Sequence, residues 1–361
     1  MAWQATDQVA AGTPRRGWSR RRLLGAAGGA LGAAMLLGGV SVPQVGGLAG
    51  GRRAWAQTRL RIGYLPLISV GPLFVAYDRG YLRDAGLDVE LVRFASGAEM
   101  VPALGTGELS AGYGVVSPGL YNAWARGVRT TIVADGSRMM PGYGYVMAVV
   151  RTDLVGQIRT PADLRGRRVG MSVVGSAVDY VMRHVLAQGG LTEGDVEAVR
   201  LSSADVNAGL AGGSIDAAGV AEPFGALTEQ NNIARKWLLG DQVVPGMQVA
   251  GLLASEQALR DRPQLVALVT AWLRAVRDFL PGQNSDPEIL EILQRWTGVA
   301  PDVLRACTPT YLDPNGTVDV ANLQAQLAFW QQQGIVTAAP NVAERVDLSF
   351  VDAAVQTLGR A

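Results

Sequence analysis

The chain carries one cysteine, Cys307, and one histidine, His184, in 361 residues. A single cysteine forms no internal disulfide, and no zinc-type spacing of Cys and His occurs. Serine-triad or cysteine–histidine catalysis needs the imidazole beside a nucleophile. His184 instead falls mid-helix in Tyr180-Val181-Met182-Arg183-His184, and Cys307 is remote from it in sequence. Cys307 therefore reads as a buried thiol that behaves as a small hydrophobe. HExxH, CxxC and Gly-rich phosphate-loop patterns are also missing. An enzyme is left without recognisable chemistry, and neither a cofactor nor a metal is expected.

Positive charge is scarce where it would matter. The formal net charge is +1, but residues 1–56 hold seven Arg and one Asp, which leaves 25 basic against 30 acidic residues beyond them. That body, at about −5 by this count, offers no basic face for nucleic acid. The first 56 residues have their own pattern. Ser19-Arg20-Arg21-Arg22-Leu23-Leu24 resembles a twin-arginine export signal, a Gly/Ala/Leu-rich run follows, and Ala54-Trp55-Ala56 gives an A-x-A cleavage site before Gln57. A retained membrane anchor is the alternative, since the run approaches the ~20 residues a span needs. Cleavage after Ala56 and a periplasmic location are the expectation. No later segment is apolar for long enough to span a bilayer.

From Arg59 to Tyr81 the order is strand, bent loop, helix. Leu60, Ile62 and Tyr64 alternate with polar or small residues, Pro66 ends the strand, and Pro72 suits a helix's first turn. Such a unit aims free N–H groups past the strand end, where ligands sit in open α/β sheets. Strands then follow at Leu87–Phe94, Ser110–Val116, Thr130–Ala134 and Val146–Val150. Helices open at Ser96, with Glu99 completing a capping box, and at Ser117-Pro118. After Arg151 come strands at Arg167–Ser172, Val196–Leu201 and Ile215–Val220, a helix over Ala177–Gln188, and a strand over Met247–Ala254. The remainder reads as helices: Pro263–Leu280, Asp286–Trp296, Val320–Gln333 and Phe350–Leu358. Repeated strand–helix units imply a mostly parallel sheet. No internal sequence repeat is visible.

Several stretches together carry a resemblance: Gly63-Tyr64-Leu65-Pro66; Ala76-Tyr77-Asp78-Arg79-Gly80-Tyr81-Leu82 with Ala85-Gly86-Leu87-Asp88-Val89; Thr160 to Gly170; and Ala221-Glu222-Pro223-Phe224. On these, residues 59–358 resemble the periplasmic solute-binding proteins of ABC importers, in the branch for nitrate, sulfonates, taurine and thiamine-precursor pyrimidines. The resemblance implies an α/β, two-lobe periplasmic binding protein of type II. Each lobe would be a mixed, mostly parallel sheet flanked by helices, with the ligand cleft between them. Lobe I would take 57–150 plus 250–361 and lobe II 151–249, with crossings near Val149–Thr152 and Pro245–Gly251. The implied partners are a small organic solute and an ABC permease with its ATPase, and a monomer is expected. Aliphatic sulfonate or taurine-like solutes lead, with aromatic carboxylates and amino-pyrimidines next. A periplasmic sensor of the same fold is the non-transport alternative. The eukaryotic thiamine-pyrimidine synthases share the fold, but their Cys-rich motif has no match here.

Candidate ligand contacts follow from that frame, each against a plainer role. Leu67 and Ser69 lie in the opening loop, which is otherwise an ordinary turn. Ser117 either caps its helix or also holds an anion. Ser172, Gly175, Ser176 and Ala177 put a strand end, a flexible Gly and a helix N-terminus toward the opposite lobe, fit for an oxyanion without any Lys. Glu222 either caps a helix or accepts from a ligand amine. Phe224 and Tyr143, with Tyr145, form either an aromatic wall or core. Arg138 and Met139 fall on the loop after the fourth strand. Arg138 is suited to bidentate carboxylate or sulfonate binding, or is a solvated loop Arg.

Overall fold

A computed structural model describes residues 59–94 and 96–361. The stretch expected to be an export leader, with its expected cleavage site after Ala56, lies outside the described residues. Among the described residues ten strands make two five-stranded sheets. β1 (Leu60–Tyr64), β2 (Val89–Arg93), β3 (Ala111–Val115) and β4 (Thr130–Arg138) belong to the first sheet. β5 (Val146–Arg151), β6 (Arg168–Met171), β7 (Glu197–Arg200), β8 (Ala217–Ala221) and β9 (Ala234–Leu239) make the second. β10 (Gln248–Ser255) returns to the first.

The first sheet runs β2-β1-β3-β10-β4 and the second β7-β6-β8-β5-β9. In each, one strand runs against the other four: β10 is antiparallel to β3 and β4, and β5 to β8 and β9. These are the two strands that enter from the opposite sheet. The lobes thus share one topology, although no repeat is visible in the sequence. A sheet order is held by which faces are apolar, and many sequences meet that need.

The expected boundary at residue 150 falls inside β5, which pairs with β8 and β9. The chain therefore changes sheets over 139–145, one strand earlier than 149–152. The reason is β4, which runs to Arg138 and not Ala134. It follows β10 across three register shifts, with Arg138 opposite Gln248. The bulges keep pairing alive through Asp135-Gly136-Ser137, a stretch that reads as loop by composition.

Burial follows the strand period. Leu60, Ile62 and Tyr64 all sit in the first core. The 21-residue helix Arg262–Gly282 lays Leu265, Leu268, Val269, Trp272, Val276 and Phe279 into the same core. The Phe279 ring lies directly on the Gly71 backbone, where a Cβ would meet it at 2.2 Å. After the Pro301–Ala306 helix, the chain runs over both lobes. Thr308 N–H donates to Glu222 beyond β8 (2.8 Å), and Asp313 N–H donates to Asp135 in β4 (2.6 Å). Both sheets sit in one compact body. Among the described residues no helix is long and apolar enough to cross a membrane.

Candidate functional site

Six strand ends meet at one place. The C-terminal ends of β1, β3, β6 and β8 face the starts of β5 and β10, because β5 and β10 run opposite to their neighbours. An open α/β sheet binds ligands at its C-terminal strand edge, and here two such edges face one another. A cavity of about 100 Å³ lies between them. Leu67, Ile68, Ser69, Tyr113, Val115 and Val249 wall it from the first sheet, and Tyr145, Val146, Ala177, Val178, Ala221 and Glu222 from the second.

Free backbone donors reach it from both sides. In the opening loop, Leu67 N–H donates to Leu65 O and Val70 N–H to Leu67 O. The N–H groups of Ile68 and Ser69 take no acceptor among the described residues. Across the cavity, Ser176 caps the Ala177–Gln188 helix by accepting from Asp179 N–H at 3.1 Å. The Ala177 and Val178 N–H groups are the uncapped orphans of that helix start, and they carry its positive dipole end.

Buried Asp179 fixes this helix start. One of its oxygens accepts from Gly175 N–H (3.0 Å) and Arg183 Nε (2.9 Å); the other pairs with Arg200 (2.9 Å). Gly175 has φ +84°, and a Cβ there would sit 2.8 Å from the Pro118 ring of the first lobe. The two lobes touch at that point.

Hydroxyls line the floor. Tyr113 and Ser137 hydroxyls are 3.0 Å apart, and Ser137 and Tyr145 hydroxyls 2.9 Å. Burial pushes the Tyr113 phenol up to about 12 and Tyr145 well above its ordinary range. Both stay protonated in ordinary buffers. Gly112 and Gly114 flank Tyr113 because Met100 and Leu253 pack straight onto the strand; a Cβ at Gly114 would meet Leu253 at 2.1 Å.

Of the sequence-derived candidates, Leu67, Ser69, Tyr145, Ala177 and Glu222 line this cavity. Glu222 is not free to receive a ligand amine. One oxygen accepts from Ala226 N–H (2.8 Å); the other takes Thr308 N–H (2.8 Å) and the Lys236 ammonium (2.7 Å). Ser117 and Ser176 serve as caps beside the cavity, Ser117 accepting from Leu120 N–H at 3.4 Å. Ser172 gives its carbonyl to Arg200.

Four candidates are drawn elsewhere. Arg138 ends β4 and pairs with Asp313 at 2.6 Å, its guanidinium over the Tyr311 ring. Met139 is fully buried in core. Tyr143 packs edge-to-face on Tyr311, and Phe224 packs on the Met147 and Val149 cluster behind the second sheet. Tyr113, Val115, Val178 and Val249 were not singled out by sequence. Tyr113 between two glycines in a strand is the one with a readable signal, since a large side chain flanked by none needs space prepared for it.

The remaining reactive groups have structural partners. Cys307 is buried and its thiol is pushed up by burial and by the nearby Glu222 charge. His184 Nδ1 lies 2.8 Å from Tyr180 O, and burial lowers its pKa. Among the described residues no group of three His, Cys, Asp or Glu could hold a metal.

Asp135 lies under the hydroxyl floor. Burial outweighs its hydrogen bonds from Asp313 N–H and Gln248 Nε2 and raises it to about 7. A carboxyl raised above its unfolded value of ~3.9 holds its proton better when folded. Its stabilisation is complete below pH ~4 and is lost as pH rises through 7. This group alone should make the protein about 1 kcal/mol less stable at pH 8 than at pH 6. Urea unfolding at the two pH values checks this, and Asp135→Asn should remove the contribution.

The comparisons with known proteins agree with this architecture. A candidate binding protein of Brucella abortus (strain 2308) is 26% identical over 236 residues, covering 63% of this chain and 68% of that protein. The periplasmic aliphatic sulphonate binding protein SsuA of Escherichia coli shares the fold with TM-score 0.68 and 21% identity, over 80% of this chain and 92% of that one. The desulfurization enzyme DSZB also shares it, with TM-score 0.59 and 19% identity over 83% and 99%. The two-lobe architecture thus serves binding proteins and at least one enzyme. The NMT1-like family model matches residues 53–293, more than half of the chain, and the protein belongs to the NMT1-like family.

Proposed function

We propose that the protein is an exported receptor that holds a small organic anion between its lobes and delivers it to an ABC permease with its ATPase. One observation carries this reading. The only charged side chain on the cavity wall, among the described residues, is Glu222, and its oxygens are already engaged. What remains for a solute is unclaimed amides from both lobes, hydroxyls and an apolar lining. Two opposed sets of amides suit an oxyanion, and desolvation in a closed cleft strengthens them. The ammonium of a taurine-like zwitterion has no free carboxylate to meet, so a plain sulfonate or carboxylate fits better. A cavity at about 100 Å³ is small against the usual ligand range, which favours a short aliphatic body over an aromatic one. The sulphonate-binding neighbour adds support by fold alone.

Thermal unfolding with a panel of short alkanesulfonates, carboxylates, taurine and amino-pyrimidines tests it. A ligand at ~100 times its dissociation constant should add about 2.7 kcal/mol. A shift with alkanesulfonates or short carboxylates is expected. A shift with taurine or pyrimidines only, or with nothing, contradicts the ligand class.

A further inference from the structure

Two phenols on the floor of the cavity and a hydroxyl buried beneath it are joined by two hydrogen bonds, Tyr113 to Ser137 and Ser137 to Tyr145. Three O–H groups hold three protons, and two bonds consume two of them. Ser137 is fully buried and is not on the cavity wall, whereas both phenols are. The surplus proton is therefore carried at one of the two phenols, at the cavity. Ser69 is also on the wall. The pair thus offers a solute one phenol proton and one neutral phenol oxygen, and no charged acceptor.

We propose that Tyr113 and Tyr145, linked through Ser137, are specificity-determining donors that read a hydrogen-bond-accepting atom on the bound solute. Resting on the receptor reading above, this adds side-chain selectivity to the amides. An oxyanion completes the chain. An ammonium finds only neutral phenol oxygen and no free carboxylate, since the Glu222 oxygens are held by Ala226, Thr308 and Lys236. The chain also joins lobes, because the Tyr145 carbonyl accepts from Glu222 N–H in the second while its hydroxyl reaches Ser137 in the first.

Calorimetric titration of the full chain with propane-1-sulfonate, butanoate and propan-1-amine tests the proposal. The two anions should bind and the amine should not. Tyr113→Phe and Tyr145→Phe together should weaken anion binding ten-fold or more, and each alone by less, because the remaining phenol then carries the surplus proton. Ser137→Ala breaks the chain and frees both phenols but leaves each its own proton, so anion affinity should fall by less than when both phenols are lost. A purely structural role would make all three variants fall together. In the unaltered protein, saturating anion should also perturb the near-ultraviolet tyrosine spectrum, a readout that survives if a variant fails to fold. Unchanged affinity in the double Phe variant, an equal loss in Ser137→Ala, tight amine binding or a silent tyrosine spectrum overturns the proposal while leaving the receptor standing. Failure of both anions to bind overturns the receptor reading as well.

Discussion

Gly175→Val should abolish tight ligand binding, weakening it by about 100-fold or more, roughly 3 kcal/mol. Gly175 sits at φ +84° in the loop before the Ala177–Gln188 helix, and it faces the other lobe. A side chain there meets two obstacles. The left-handed region costs an L-residue roughly 1–2 kcal/mol, and even a Cβ alone would stand 2.8 Å from the Pro118 Cγ and Cδ atoms. The second obstacle exists only when the lobes are together. The substitution should wedge the cleft and bias the molecule toward open forms, whose affinity falls with the closed fraction. Trimming the obstacle separates the two causes. Gly175→Ala combined with Pro118→Ala should bind better than Gly175→Ala alone. If the second change recovers nothing, loop strain and not lobe contact explains the loss.

Removing Glu222 should cost more in stability than in affinity. Its carboxylate is the junction of three groups: the Ala226 amide at the start of its own helix, the Thr308 amide of the first lobe, and Lys236 on β9. Lys236 also donates to the Ala306 carbonyl and the Thr308 hydroxyl. Glu222→Ala leaves a mostly buried ammonium with only the more distant Glu229 carboxylate (3.9 Å) as counter-charge and strands two N–H groups. Breaking a buried pair by removing one partner costs about 3–5 kcal/mol. Denaturant unfolding should show a loss of that order. Glu222→Gln with Lys236→Met, which removes both charges, should be milder. A change in affinity with unaltered stability would instead return Glu222 to the role of ligand acceptor.

What could be read from the sequence follows the range of the interactions involved. The Ala177–Gln188 helix, with Ser176 as its cap, was legible because cap and helix start are adjacent. The opening loop at Leu67 and Ser69 was legible for the same reason: Pro66 and Pro72 bracket it. Arg138 shows the opposite case. Its residue type suits an anion, but its partner Asp313 lies 175 positions away, and nothing local announces that pairing. Glu222 was open between cap and ligand contact because Thr308 lies 86 positions on. The hydroxyl chain needs Tyr113, Ser137 and Tyr145 from three elements, and each alone looks like a strand or loop residue. The lobe boundary slipped by one strand because β4 continues through bulges that composition describes as loop.

The most direct test is small-angle scattering of the protein with and without a saturating short alkanesulfonate. The account predicts a smaller radius of gyration with the solute bound, as the lobes carrying Ser69 and Ala177 are held together around it, and no such contraction in Gly175→Val. A solute that binds at one site without contracting the wild-type molecule would contradict it.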